Sequence, residues 1–217
     1  MFDLLPIFPL PNVVLFPNVF LPLHIFEARY REMVADALAS DRLIGMTLLR
    51  PGWERDYEGR PPVYAIGCSG VITHVERLPD GRYNLVLRGL ERFRIVEEDS
   101  AKTYRRAAIE PLIERPLETD DRQAVRNTRA RLETLLAATL RRAQRESSEA
   151  APDLRTAAAM CDEDLVNALA QYLDLEALER QALLEHDSLR TRAESLVELL
   201  EMQLLIARTP GLSNVAH

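Results

Sequence analysis

Between Ile7 and Tyr30 the chain reads "IFPLPNVVLFPNVFLPLHIFEARY", almost continuously apolar yet interrupted by Pro9, Pro11, Pro17 and Pro22. Each proline removes a backbone donor and strains the preceding helical turn, so a membrane helix of about 20 residues is excluded here. The runs between them, Val13–Phe16 and Val19–Leu21, are rich in β-formers. Proline within sheets keeps to edges, strand ends and bulges, so two short strands at a sheet edge are predicted. After Pro22 the period changes. Phe26, Tyr30, Met33, Val34, Ala37 and Leu38 fall on one face of a helix. The stretch therefore predicts strands handing over to a helix.

From residue 42 to about 115 the pattern is strand and turn. "RLIGMTLLR" (42–50), "PVYAIGCSGVITHVERL" (62–78) and "NLVLRGLERFRIVEE" (84–98) are β-rich, with a turn signal at Pro79-Asp80-Gly81. In the last run Leu85, Leu87, Phe93 and Ile95 alternate with Asn84, Val86, Arg88, Arg92 and Arg94, and Gly89 breaks the period as a bulge or bend would. "PGWERDYEGRPP" (51–62) is a polar loop of the length that carries function or disorder. Beyond Leu117 the chain turns helical. Val125, Leu132, Leu135, Leu136 and Leu140 recur at helical spacing behind an acidic start, Thr119-Asp120-Asp121. A soft stretch (146–156) precedes three more helical patterns, and the last has Leu189, Ala193, Leu196, Leu200 and Leu204 on one seam. A small helical bundle behind or beside a β domain is predicted.

Charge narrows the range of partners. The net charge of the 217 residues is −7, and most of it lies beyond residue 116. Nucleic-acid binders concentrate positive charge on one face, so nucleic acid is not the expected main partner. No Lys or Arg precedes Arg29, so a secretory leader is not expected, and no membrane association is expected either. Cys68 and Cys161 are far apart and lack CxxC spacing, which points to a reducing cytoplasm rather than a disulfide or zinc framework.

Three stretches carry a family resemblance. "LPIFPLPNVVLFPNVFLPLHIFEARYREMV" resembles the opening signature of the Lon amino-terminal domain. "GVITHVERLPDGRYNLVLRGLERFRI" (70–95) resembles its central hairpin with a DGRY turn. "LVNALAQYLDLEALERQALLEHDSLRTRAESLVELL" (165–200) is similar to its helical segment. The resemblance implies an α+β fold, a PUA-like β pseudo-barrel whose first strands lead into a helix, followed by a C-terminal α-helical bundle. The expected boundaries are 1–116 for the β domain, 117–210 for the bundle and 211–217 for a flexible tail. It also implies binding of unfolded or degron-bearing polypeptide, with a separate protease or chaperone as a further partner class.

The chemistry of a full Lon protease is not found in these residues. A P-loop needs glycines and a lysine, as in GxxxxGK[ST], but the sole lysine, Lys102, lies in "SAKTYRR". A serine nucleophile needs a neighbouring base, and Lys102 has no protease-like surroundings. His24, His74, His186 and His217 show no metal-ligand spacing, and "CDEDL" (161–165) reads as an acidic helix start rather than a calcium loop. Cys68 reads as a small packed hydrophobe. No catalytic residue, cofactor or metal is expected.

Binding residues are then the question. Trp53 and Tyr57, aromatics in a polar loop, are the first candidates for peptide contact, since aromatics supply much contact area at small entropic cost. Phe16, Phe20 and Phe26 on the proline-rich edge are second candidates, with core burial as the alternative for each. An alternative reading makes the barrel a small-molecule or enzyme pocket, with Arg88, Arg92 and Arg94 holding an anion. A third makes the last helix an interaction scaffold, although its seam is short for a coiled coil. Glu27, Arg29 and Tyr30 are read as structural, with Glu27 favouring the positive end of the helix dipole.

Overall fold

The fold was analysed in a computed structural model that describes residues 4–57, 59–114, 116–146 and 159–208. The expected tail at 211–217 and His217 lie outside the described residues. The chain falls into two compact units, one drawn from Met1–Ile113 with Asn167–Glu185, the other from Glu114–Val166 with His186–His217.

In the first unit six strands form one sheet: β1 (Leu5–Leu10), β2 (Phe20–Ile25), β3 (Leu43–Leu48), β4 (Ile66–Arg77), β5 (Tyr83–Asp99) and β6 (Arg105–Leu112). Their order is β2-β5-β4-β3-β1-β6, and β6 also pairs with β5. Five strands therefore close into a barrel-like ring, which removes most free edges; β2 stands outside it on β5. Leu5, Ile7, Phe93 and Ala107 form a buried cluster from β1, β5 and β6, with Leu43, Ile95 and Ile109 against it.

The opening segment is arranged differently from its prediction. β1 lies inside the ring, parallel to β3 and antiparallel to β6. Its pairing with β6 ends at Ile7, so Pro9 removes no ladder donor on that side. Val13–Phe16 is not a strand: Val14, Leu15 and Phe16 are buried in irregular chain. Pro11 and Pro17 bracket this run and cannot donate to a ladder. It is held instead by side-chain burial and by Phe16 N donating to Gln171 Oε1 at 3.2 Å. Asn18 then turns the chain at φ 61° and donates to Gly89 O at 3.0 Å. A Cβ on Gly89 would sit 2.0 Å from Phe16 O, so this contact requires glycine. β2 is the edge strand, and Pro22 lies in it.

Helix α1 (Ala28–Leu38) buries Tyr30, Met33, Val34 and Ala37, the face the spacing predicts. Phe26 precedes the N-cap, Glu27, and is 62% exposed rather than packed on that face. The β4–β5 hairpin turns at Gly81, and its register shifts between the Cys68–Arg92 and Gly70–Gly89 pairs, the irregularity that Gly89 predicted.

Two later helices follow, α3 (Asp162–Tyr172) and α4 (Ala177–Glu185). Residues 167–185, expected in the helical bundle, group with the sheet. Polar contacts explain this: Gln181 Nε2 donates to Ile66 O at 3.0 Å, and Arg92 donates to Leu184 O at 3.0 Å. Leu183 and Leu184 are buried beside them.

The second unit is built on α2 (Thr119–Glu146) and α5 (Leu189–Arg208). Val125, Leu132, Leu135 and Leu136 are buried on the first, and Leu189, Ala193, Leu196 and Leu200 on the second. These match the two predicted seams, except that Leu204 is half-buried and the Leu140 side chain lies outside the described residues. Arg190 pairs with Asp121 and Arg131 with Glu201, at sequence separations of 69 and 70, so the helices run in the same direction. Arg192 is fully buried and pairs with Glu114 at 2.9 Å.

Candidate functional site

The loop 51–62 and the start of α1 meet through a compact set of side chains. Gly52 adopts φ 88°, a conformation that favours glycine, and turns the chain into a short 3-10 segment, Trp53–Asp56. The half-buried Trp53 ring meets the Tyr57 ring edge-on at 5.4 Å. The Tyr57 hydroxyl donates to Glu27 Oε1 at 2.5 Å. Arg29 Nε donates to Glu27 Oε2 at 3.0 Å, and its NH1 to Tyr57 O at 3.3 Å. The same guanidinium lies 4.7 Å from the Tyr30 ring centroid and 5.0 Å from that of Tyr57, within cation–π range of both. Glu27 makes no side-chain cap bond to α1, contrary to its expected helix-end role; its carboxylate is held by Arg29 and Tyr57.

The electrostatics follow from this packing. Burial works against the Arg29 charge, but Tyr30 and Glu27 hold its pKa above the ordinary arginine value. Burial first, then the bond to Glu27, raises the Tyr57 pKa. Burial pushes Tyr30 up to about 12, against the nearby Arg29 charge. These tyrosines are protonated donors at neutral pH.

A cleft of about 190 Å³ opens behind this set, lined by Arg29, Tyr30, Tyr57, Arg60, Tyr104 and Arg105 with Pro9, Leu49, Gly59, Pro61 and Thr103. Arg105 is buried; it donates to Glu98 at 3.1 Å and to the carbonyl of Pro61. The 102–104 turn is tied to α1. Tyr104 Oη donates to Asp36 at 2.7 Å, Thr103 Oγ1 to Glu32 at 2.6 Å, and Lys102 Nζ to Asp36 at 3.0 Å. The sole lysine is thus ion-paired. An open groove adjoins the cleft, sharing Arg29, Tyr57 and Thr103 with it and continuing past Phe26, Glu27, Ala28 and Glu32.

The structure separates the other candidates. Tyr57 lines both cleft and groove, and Trp53 packs on it. Phe16 is 0% exposed, so it offers no contact surface. Phe20 is 50% exposed on β2, and its carbonyl accepts the Tyr172 hydroxyl at 2.9 Å; it lines neither cleft nor groove. Arg92 is 4% exposed and committed to Leu184 O, so it belongs to no open anion face. Helix α4 covers this part of β5, so Arg92 is buried against Leu184 while Arg94, two residues on, is exposed. Arg88 is exposed and donates to Asn18 Oδ1 at 3.4 Å, and Arg94 is exposed.

Among the described residues no group of His, Cys, Asp and Glu could hold a metal ion. His24 bonds Asn84 and Arg82 on the surface. Cys68 is buried, and partial burial raises the Cys161 thiol above its ordinary pKa. Sequence reading missed Arg60, Tyr104 and Arg105 as cleft residues and assigned Arg29 and Tyr30 a structural role alone. Their signal was weak because the cleft joins positions near 30, 60 and 104.

A barrel-like ring with an edge strand, joined to helices, makes this a fold of mixed α and β structure. Solved structures share this fold. The N-terminal domain of a Mycobacterium avium complex Lon protease matches with a TM-score of 0.68 at 17% identity, over 92% of this chain and 98% of that one. A Lon N-terminal domain protein from Xanthomonas campestris matches with a TM-score of 0.58 at 26% identity, over 90% and 98%. The chain belongs to the ATP-dependent protease La (LON) substrate-binding domain family, whose sequence model matches residues 4–202. Among curated relatives, Lon protease 2 of Myxococcus xanthus is 30% identical over 91% of this chain, and Lon protease of Anaeromyxobacter dehalogenans 30% identical over 90%. The chain spans about a quarter of the length of these relatives, 23% of each. Among the described residues, no helix is long and apolar enough to cross a membrane.

Proposed function

We propose that this chain recognises polypeptide and performs no chemistry of its own. The observation that carries the reading is the open groove running from exposed Phe26 past Ala28 to Tyr57 and Arg29. An apolar ring beside a fixed aromatic and an arginine matches the residue types that anchor peptide interfaces. Family membership supports the same reading, since the family is described as substrate-binding. The partners inferred are unfolded or degron-bearing segments, with a protease as the downstream component. The 217 residues contain no P-loop signature, and Lys102 is paired with Asp36 and Glu32, which supports a non-catalytic role. The two distant cysteines support a reducing cytoplasm.

The test is suppression of aggregation of a chemically unfolded client, without nucleotide, by the intact chain and by Trp53→Ala and Tyr57→Ala variants. Dose-dependent protection that weakens in both variants supports the reading. Absence of protection at any ratio contradicts it.

A further inference from the structure

We infer that the cleft between α1, Tyr57 with residues 59–61, and residues 103–105 is a carboxylate-binding pocket that anchors an acidic group of the bound polypeptide. The inference rests on the polypeptide reading and specifies what its deepest subsite accepts.

Charge is the first argument. In a chain of net charge −7, the cleft is lined by three arginines and, among the described residues, by no carboxylate. Two of these charges are balanced from outside the lining, Arg29 by Glu27 at 3.0 Å and Arg105 by Glu98 at 3.1 Å. Arg60 is different. Its NH1 and NH2 donate to the carbonyls of Asp99 and Lys102, at 3.0 and 3.2 Å, and among the described residues the exposed guanidinium forms no direct ion pair. Its charge acts on the Asp99 carboxylate, which Arg106 already pairs, so positive charge prevails around the cleft. A single carboxylate matches it, whereas a phosphate monoester brings nearly two negative charges. The Arg60 charge also reaches Arg105, acting against protonation there, so an anion between them would relieve both.

An unpartnered donor is the second argument, and it is independent of the first. Tyr30 lines the cleft and is 5% exposed, and among the described residues its hydroxyl forms no hydrogen bond, although the oxygen is not sealed from solvent. The other two cleft tyrosines are satisfied, Tyr57 by Glu27 and Tyr104 by Asp36. A hydroxyl that meets the cleft without a protein partner is open to a water or a ligand there. Arg29 and Arg105 both act electrostatically on this hydroxyl, so donor and charge converge. A carboxylate oxygen is a strong acceptor for such a donor set.

Size is the third. At about 190 Å³ the cleft is smaller than the pockets that enclose cofactor-sized ligands, and suits one residue's terminal group. The adjoining groove shares Arg29, Tyr57 and Thr103 with it, giving the rest of a chain a continuous path.

The test uses the full chain and one labelled peptide in three forms: with a free C-terminal carboxylate, with a C-terminal amide and no acidic residue, and with the amide and one internal Glu. Affinities are measured for the wild type, Tyr30→Phe and Arg60→Gln, and thermal melting is followed with N-acetylglutamate. Tyr30→Phe keeps the ring and its contacts and removes only the unpartnered hydroxyl, so its fold is preserved. Loss of about tenfold in affinity on removing the carboxylate, matched by a similar loss in Tyr30→Phe, supports the pocket. The free-acid peptide and the internal-Glu peptide separate a chain terminus from an acidic side chain. Saturable binding that ignores the carboxylate and both variants overturns the pocket while leaving the polypeptide reading in place. A Tyr30-dependent melting shift with N-acetylglutamate, but no peptide binding, supports the pocket and overturns the polypeptide reading. Neither binding nor shift overturns the pocket.

Discussion

The Tyr57 hydroxyl donates to the Glu27 carboxylate, and with it a loop in the middle of the β unit is fastened to the first turn of α1. The bond fixes one wall of the groove. Tyr57→Phe should lower stability by about 1 kcal/mol, below the usual range for a bond to a charged acceptor because both groups are partly solvated. Urea denaturation measures this. The variant should also loosen residues 51–62, read as faster amide exchange there than in β4.

Arg92 and Arg94 are two residues apart with different fates. Arg92→Ala removes a buried side chain and leaves Leu184 O without that donor, so a loss of about 3 kcal/mol is expected. Arg94→Ala alters an exposed position and should fall within about 0.5 kcal/mol of the parent. Equal effects in denaturation would contradict the burial of Arg92 against Leu184.

Gly89→Ala places a methyl group against the Phe16 carbonyl. Backbone must move to accommodate it. The expected cost is about 3 kcal/mol or more, read as a large drop in melting temperature or loss of soluble protein.

Tyr30 gives the chain a pH dependence with a defined sign. Its phenol titrates from 10.0 when unfolded up to about 12 when folded, chiefly through burial, with Arg29 opposing. Between these values the folded state holds a proton that the unfolded state has released, so the stabilisation is full below pH 10 and is lost as pH rises towards 12. Melting temperature measured from neutral to alkaline pH should fall in this window. Tyr30→Phe should flatten that fall relative to the wild type.

These positions also show what the sequence made legible. The alternation of Leu85, Leu87 and Phe93, the helical face of Tyr30, Met33 and Val34, and the two leucine seams are local periodicities, and each reappears as a buried surface. The irregular burial of Val14, Leu15 and Phe16 is not periodic, because glycine and side-chain contacts from distant segments hold it. The attachment of α4 to the sheet depends on Gln181 and Arg92, polar residues that a hydrophobic pattern passes over. In the cleft, Tyr57 was legible as an aromatic in a polar loop. Arg60, Tyr104 and Arg105 were not, because only closure of the ring brings their segments together around Tyr30.

The central claim is that the Phe26–Tyr57 groove takes polypeptide. The most direct measurement is fluorescence anisotropy of a labelled unfolded polypeptide titrated with the intact chain, beside Phe26→Ala and Tyr57→Ala. Phe26 is exposed and lines the groove, so Phe26→Ala should leave the fold intact. The account predicts saturable binding in the wild type and about tenfold weaker binding in each variant, the scale of a hot-spot aromatic. Binding of equal strength in all three proteins, or none in the wild type, would contradict it.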